Sequence, residues 1–311
     1  MHAGARTFAT AHDAAPARRI VMRTEEGRGM SKIGTVVGWD GSSAADEALK
    51  WAVAREQRRG GKLRIVRVLG WDGAGDPGKQ VTRARLALEE AVAALARRQS
   101  ELETIAELVV GDPVVELGRA AGREQVLVLG ASRIGRDRRP GARRVPIALA
   151  ARPIGTTVVV PAGWEAAGSG VVAVVSCHQH RAATIEFAAA AATELGEPLI
   201  VVRLHDPHNL QVDGKATHLE DELERARALR PGLQVRLDPG WVSSPYGLLT
   251  RSDAASLLVL EGARPSAAPP RYSFERWLAG HARAPFAIVT GSSPPPAWTA
   301  DYTSGQLVLT V

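Results

Sequence analysis

The sequence has little of several features that would point to particular classes of protein. Its single cysteine, Cys177, excludes an internal disulfide, which agrees with a reducing compartment. No apolar run approaches the roughly 18 residues that a membrane-spanning helix needs. The segment 1–29 lacks the apolar stretch of a secretory signal. We therefore expect a cytoplasmic protein with no part in the membrane.

Aromatic residues are also scarce, at 5% of the chain, whereas 45% of the 311 residues are hydrophobic. Alanine and valine must fill most of the interior, and such small side chains suit helices packed closely on a sheet. The formal charge of +6 is compatible with phosphate-bearing ligands or with nucleic acid. The length fits about two domains of ordinary size.

Short apolar strands alternate with helices from residue 33 onward. Strands of this kind indicate a parallel sheet that is covered by helices on both faces. In the first helix, Ser43 is the predicted N-cap and Asp46 completes a capping box. The strands predicted in the first half are Thr35–Gly38, Leu63–Leu69, Thr104–Val110, Val126–Leu129 and Thr156–Val160.

The second half repeats the plan of the first. One constant, ungapped offset relates Leu63 to Leu199 and Asp40 to Ser176, which indicates a duplication. The predicted strands there are Gly170–Val175, Leu199–Leu204, Gln234–Leu237, Leu257–Leu260 and Phe286–Val289. The predicted organisation is a disordered extension at 1–32, domains at 33–162 and 170–291, a linker at 163–169, and a tail at 292–311 that could add an edge strand.

An acidic turn follows the first predicted strand. Residues 37–42 read VGWDGS and run directly into the first helix. In α/β proteins such a turn lies at the carboxyl edge of the sheet, where ligands bind. The second half has Ser176 where the first has Asp40. One half therefore carries a candidate nucleotide-site carboxylate and the other does not.

Together with Gly111-Asp112-Pro113 and the sequence VLGASR at residues 128–133, this turn resembles the universal stress protein family in its tandem form, across roughly residues 33–290. The resemblance implies two tandem five-stranded parallel-sheet domains with helices on both faces, of the Rossmann-like, adenine nucleotide alpha hydrolase-like type. It implies a stress-response or regulatory role and, as in many members, ATP as a ligand. It also implies pairing through the last strands, in an intramolecular pseudo-dimer or in a homodimer.

The family's nucleotide motif is Gly-x-x-Gly, nine residues, then Gly-Ser or Gly-Thr. Gly130 matches its first glycine, but Arg133 replaces the second, and Arg143 and Arg144 replace the final pair. Glycines let backbone amides approach phosphates, whereas arginines either bind phosphate bidentately or fill the space as a solvated surface. The site that the resemblance implies comprises Val37, Gly38, Trp39, Asp40, Gly41, Ser42, Asp112, Gly130, Ser132, Arg133, Gly135, Arg143 and Arg144.

Two classes of function stay open. In the first, the protein binds ATP or another anionic nucleotide in the first domain only. In the second, it is a non-nucleotide scaffold whose doubled sheet and arginine-rich loop dock an acidic protein partner. Nucleic acid is disfavoured, because no aromatic residue lies among the arginines of residues 133–152 to stack on bases. No catalytic residue can be named, so we expect no enzyme, and weak ATP hydrolysis stays open as a third possibility.

The second half offers a different set of side chains. Glu261 takes the place of Gly130 and would repel phosphate, so no ATP is expected there. Metal-ligating residue types follow the first two strands of this half, but their spacing matches no standard zinc signature. We expect no metal, with one low-ranked alternative cluster: Cys177, His178, His180, His205 and His208.

Overall fold

The computed structural model describes residues 19–23, 33–70, 76–122, 125–131, 144–150, 155–165, 168–175, 181–204, 216–242, 245–262, 274–290 and 306–310. Strands and helices alternate through the first half, as predicted. Its elements are β1 (Arg19–Arg23), β2 (Ile33–Gly38), α1 (Ser43–Arg59), β3 (Lys62–Leu69), α2 (Pro77–Arg98), β4 (Thr104–Val110), α3 (Pro113–Ala121), β5 (Val126–Ala131), α4 (Arg144–Ala150) and β6 (Thr156–Pro161).

The second half continues the alternation. Helices α1 and α5 both end at a glycine with left-handed backbone, Gly60 with φ 63° and Gly196 with φ 68°, and these two glycines are related by the same offset as Leu63 and Leu199. The elements are β7 (Val171–Val175), α5 (Arg181–Leu195), β8 (Leu199–Leu204), α6 (Ala216–Leu229), β9 (Val235–Val242), α7 (Pro245–Ser252), β10 (Leu257–Glu261), α8 (Phe274–His281), β11 (Phe286–Val289) and β12 (Gln306–Thr310).

All of these strands belong to one sheet, in the order β12-β1-β4-β3-β2-β5-β6-β11-β10-β7-β8-β9. The parallel group β4-β3-β2-β5-β6 of the first half recurs as β9-β8-β7-β10-β11 in the second. The two groups meet where β6 and β11 pair antiparallel, with Val159 opposite Phe286. The last strands of the two groups therefore pair within one chain.

Helices cover both faces of the sheet, which confirms the predicted α/β fold class. One core cluster lies beneath α1, α2, α5 and α6 and extends across both halves. On the opposite face, α3 and α4 cover a cluster of the first half, and α7 and α8 cover one of the second. Alanine and valine supply most of these buried side chains. None of the described helices is long and apolar enough to cross a membrane.

The chain ends form strands at the outer edge of the first half. Arg19–Arg23 pairs antiparallel with β4, so the predicted disorder of residues 1–32 is wrong for this strand. The strand suggested at Gln306–Val311 is found as β12, parallel to β1. Helices α7 and α8 were not predicted, and α2 begins at Pro77, where Asp76 caps it.

The edge strand β9 extends beyond the predicted Gln234–Leu237. Its register to β8 shifts after Leu237, around Asp238 and Gly240. The Asp238 carboxylate accepts the main-chain N–H of Gly240 at 2.8 Å and two N–H groups of Arg251 at 3.0 and 3.1 Å. These bonds let the strand resume after a bulge at a sequence that otherwise indicates a turn.

Each half holds one buried or partly buried carboxylate at the start of its first parallel strand. In the first half, Glu56 of α1 is completely buried and its Oε1 accepts the Thr35 hydroxyl. In the second half, Glu197 follows α5. It accepts the main-chain N–H of Gly170 at 2.7 Å and the Ser256 hydroxyl at 2.8 Å.

The two carboxylates come from different positions of the repeat. The offset between the halves places Ala192 at the position of Glu56, and Glu197 at the position of Gly61. A Cβ atom on Gly61 would lie 1.9 Å from Glu56 Oε2, so a side chain there would displace the Glu56 carboxylate. The halves thus fill similar space from opposite sides of the helix end.

Candidate functional site

The crevice at the carboxyl ends of β2 and β5 is the candidate site. Strand β2 pairs with β3 on one side and with β5 on the other. The chain passes from β2 to β3 in one direction along the sheet, whereas it passes from β5 to β6 in the opposite direction. Gly38, at the end of β2, lies opposite Leu129 of β5. Such a switch point is where open α/β sheets bind ligands. The structure therefore brings the Asp40 turn and Gly130 to one edge.

The Asp40 turn leads directly into α1. Asp40 is exposed, and its Oδ1 accepts the main-chain N–H of Ser42 at 2.9 Å. Gly41 has φ 83°, a conformation that glycine adopts without steric cost. The Ser42 hydroxyl accepts the N–H of Ala45 at 3.2 Å. The turn thus places the N-terminus of α1, with its partial positive charge, at the crevice.

The cap of α1 differs from the prediction by one position. The N-cap is Ser42, so the capping box of Ser43 and Asp46 is wrong. Asp46 Oδ1 instead accepts the indole Nε1–H of Trp39 at 2.8 Å. The reason is burial: Trp39 is only 7% exposed, and a buried indole N–H needs an acceptor.

Arg67 of β3 is a site residue that the sequence reasoning missed. Its guanidinium carbon lies 5.2 Å from the centre of the Trp39 ring, within cation–π range. Its Nη1 lies 3.6 Å from where a Cβ on Gly41 would be. A cation therefore lies beside the turn that carries Asp40. The sequence did carry a signal for Arg67. Arg64 and Arg67 are three residues apart in one strand, so they lie on opposite faces of the sheet.

Two of the predicted site glycines have packing roles. A Cβ on Gly130 would lie 2.1 Å from the main-chain oxygen of Ala44, in the first turn of α1. A Cβ on Gly38 would lie 2.5 Å from Leu129 Cδ2. The absence of a side chain at Gly130 therefore lets α1 cross close to β5, whether or not a ligand uses the same space.

Two other predicted residues lie away from the crevice surface. The Val37 side chain is completely buried in the core, so only its main chain could meet a ligand. Asp112 lies after β4, which is separated from β2 by β3, on the side away from β5. Asp112 is exposed and caps α3, because its Oδ1 accepts the N–H of Val115 at 2.9 Å.

Most of the predicted phosphate side lies outside the described residues. Ser132, Arg133, Gly135 and Arg143 fall there, and Arg144 is described only as the first residue of α4. The structure does fix where this segment starts and ends. It leaves β5 at the crevice and returns in α4, which packs against α3 and α8. The role of these arginines stays a prediction.

The second half shows Glu261, half-buried, at the end of β10. Its position matches Gly130, because Leu260 pairs with Val174 as Leu129 pairs with Gly38. No group of three metal-ligating His, Cys, Asp or Glu side chains occurs in the part of the chain that the structure describes. Outside it lie Ser176 and all members of the low-ranked metal cluster: Cys177, His178, His180, His205 and His208.

The sheet order and the crevice define a Rossmann-like α/β protein. Residues 35–145 match the sequence profile of the universal stress protein family. This part of the chain therefore belongs to that family, as the motifs around Asp40 and Gly130 predicted. The match ends within the first half, so the tandem form of the family stays a prediction.

Solved structures share this fold. A universal stress protein from Archaeoglobus fulgidus DSM 4304 has a TM-score of 0.65 at 13% identity, and the match covers 83% of this chain and 98% of that chain. A protein of unknown function from Pseudomonas aeruginosa PAO1 has a TM-score of 0.53 at 10% identity, with 82% and 92% covered. At these identities the likeness concerns the fold alone, and it extends into the second half. No curated protein matches the chain in sequence.

Proposed function

We propose that the chain is a cytoplasmic stress-response protein that binds an anionic nucleotide in its first half and does not turn it over. Membership of residues 35–145 in the universal stress protein family supports the stress-response role. We further propose that residues 170–291 form a second, degenerate domain of the same family. The β6–β11 pairing supports an intramolecular pseudo-dimer of the two.

One observation carries the nucleotide proposal: the switch point gathers the Asp40 turn, the N-terminus of α1 and the end of β5 at one edge. The helix N-terminus favours a phosphate. The arginine-rich segment departs from the same strand end, and guanidinium groups bind phosphate bidentately. Among the described residues, only the first carboxylate oxygen of the exposed Asp40 accepts a hydrogen bond, so the second can accept one from a ribose or base donor.

The test is calorimetry on ligand-free protein with ATP, AMP, adenosine and tripolyphosphate. We expect ATP to bind more tightly than AMP, and tripolyphosphate to bind while adenosine alone is weak, because the arginines supply most of the affinity. Absence of binding by ATP at millimolar concentration would refute the proposal. Protein docking through the arginine-rich segment would then be the surviving alternative.

Substitutions place the site. Asp40→Asn preserves an acceptor for the Ser42 N–H but removes the charge, whereas Asp40→Ala removes both. We expect both variants, and Arg143→Ala, to weaken ATP binding. Arg97→Ala, at an exposed position of α2, is the matched control. Unchanged affinity in all three site variants would contradict this placement.

A further inference from the structure

A cavity lies between the two halves, on the face of the sheet that α1 and α5 cover. Its volume is about 150 Å³. Its wall combines side chains from α1, from the segment after β6, and from α5. They include Trp51, Arg58, Trp164, Phe187, Ala191 and Glu194. The cavity is separate from the Asp40 crevice, because its residues lie far along α1. An α-helix rises about 1.5 Å per residue, so Trp51 lies roughly 12 Å and Arg58 roughly 22 Å from the first residue of α1.

Aromatic rings dominate the apolar part of this wall. Only 5% of the chain is aromatic, yet Trp51, Trp164 and Phe187 reach the same cavity from three different segments. A cavity of about 150 Å³ with an apolar lining is large enough for a benzene ring. Small-molecule sites are mostly apolar and aromatic, with few polar groups. The volume and lining therefore suit one aromatic ring.

The carboxylates of the wall already have partners. Glu194 pairs with Arg55 at 3.6 Å and also with Arg59, which joins α5 to α1 across the two halves. Glu197 accepts hydrogen bonds from the Gly170 N–H and the Ser256 hydroxyl. These acids therefore present little uncompensated negative charge to a ligand.

Arg58 differs from them. It is exposed, and within the described ranges no carboxylate forms an ion pair with it. Its guanidinium can take a planar, bidentate carboxylate without breaking an existing ion pair in that part of the chain. The wall is thus aromatic with a cation, so the polar group of a fitting ligand is an anion.

We propose that this cavity binds a single-ring aromatic acid, with the ring among Trp51, Trp164 and Phe187 and the carboxylate on Arg58. The site does not rest on the nucleotide proposal, and either can fail without the other. Since both halves contribute to the wall, the bound acid stabilises their packing and raises the thermal unfolding temperature.

The experiment is calorimetry and thermal unfolding of the full chain with benzoate, benzyl alcohol and cyclohexanecarboxylate. We expect saturable benzoate binding, with benzyl alcohol about tenfold weaker because a charge-assisted hydrogen bond is lost. Cyclohexanecarboxylate should also bind more weakly, since its ring is not planar. No saturable benzoate binding at millimolar concentration, or equal binding of benzoate and benzyl alcohol, would overturn the proposal.

Two variants test the placement independently. Arg58→Gln, at an exposed position, should reduce benzoate affinity about tenfold and leave benzyl alcohol unchanged. Ala191→Leu should fill the cavity and abolish binding of both. Their controls are Arg97→Gln and Ala182→Leu, both at exposed helical positions. Full benzoate affinity in either Arg58→Gln or a folded Ala191→Leu would overturn the assignment, and ATP binding should be unaffected in both.

Discussion

The first and second halves share a strand order but differ at both ends of their parallel strands, here called the carboxyl edge and the opposite edge. At the carboxyl edge, the first half has Gly130, over which α1 passes closely, and the second half has Glu261. At the opposite edge, Glu56 points from the helix in one half, and Glu197 comes from the loop in the other. At the second of these positions the exchange is compensated, because the half with Glu56 has Gly61 and the half with Glu197 has Ala192 at the matching places.

Removal of the buried carboxylate of the first half should cost the most stability. Glu56→Ala removes a partner of the Arg55 guanidinium, which lies 3.0 Å from Glu56 Oε1, and of Thr35. Burial already lowers the pKa of Arg55, which shows that the environment opposes its charge. We expect a loss of about 3 kcal/mol in the free energy of unfolding, measured with urea.

Gly61→Glu added to Glu56→Ala imitates the second half. The double variant should recover at least about 1 kcal/mol of the sum of the two single losses, because the new carboxylate enters the vacated space. Gly61→Glu alone should be destabilising, since it would meet Glu56 at close range. Glu47→Ala in α1 is the control and should have little effect, because Glu47 is only partly buried and pairs with the exposed Lys50. Additive losses in the double variant would show that the two arrangements are not equivalent.

The second prediction concerns the carboxyl edge. Gly130→Ala places a Cβ against the Ala44 main-chain oxygen, and we expect a loss of about 2 kcal/mol in the free energy of unfolding. Glu261→Ala, at the corresponding position of the second half, should cost less. Gly78→Ala in α2 is a matched control, where the added Cβ makes only an ordinary contact, and should be neutral or stabilising. Equal losses in Gly130→Ala and Glu261→Ala would remove this difference between the halves.

The third prediction compares strands β4 and β9, which occupy matching positions in the two halves. Strand β9 is bulged, whereas β4 is regular. The hydrogen bond from the Gly240 N–H, together with Arg251, lowers the pKa of Asp238. A lowered pKa stabilises the fold above the ordinary carboxyl pKa of about 3.9, and this stabilisation is lost as the pH falls through the lowered value. Asp238→Ala should therefore cost about 1 kcal/mol at pH near 7. The difference from the natural protein should vanish in acid, and a constant difference would contradict it.

The smallest expected effect is at Arg67. The corresponding residue of the second half is Arg203, but Val175 stands there in place of Trp39. Arg67→Met should lose a cation–π contact, for about 0.5 to 1 kcal/mol in the free energy of unfolding. Arg203→Met is the control for loss of a strand arginine without a tryptophan at the matching position. Trp39 fluorescence should change only in Arg67→Met. An identical response in Arg67→Met and Arg203→Met would contradict the placement of Arg67 at the Asp40 site.

Much of the fold could be predicted because its signals are local. Continuous apolar runs such as Val171–Val175 indicate strands, and the repeat of Gly60 at Gly196 fixes corresponding helix ends. Strand β9 was predicted too short, because its continuation depends on Arg251, a partner of Asp238 from the following helix. The cap of α1 was misplaced for a similar reason, since Asp46 serves the buried Trp39 rather than the helix end.

The α/β alternation, the constant offset between the two halves and the acidic turn at Asp40 follow from the sequence, because periodicity and turn chemistry depend on neighbours in the chain. Which groups meet depends on how the chain folds in three dimensions. The fold pairs the last strands, β6 and β11, within one chain, places Arg67 on Trp39, and brings Trp51, Trp164 and Phe187 around one cavity. These contacts join residues far apart in sequence, and the space available to each depends on side chains packed from other elements.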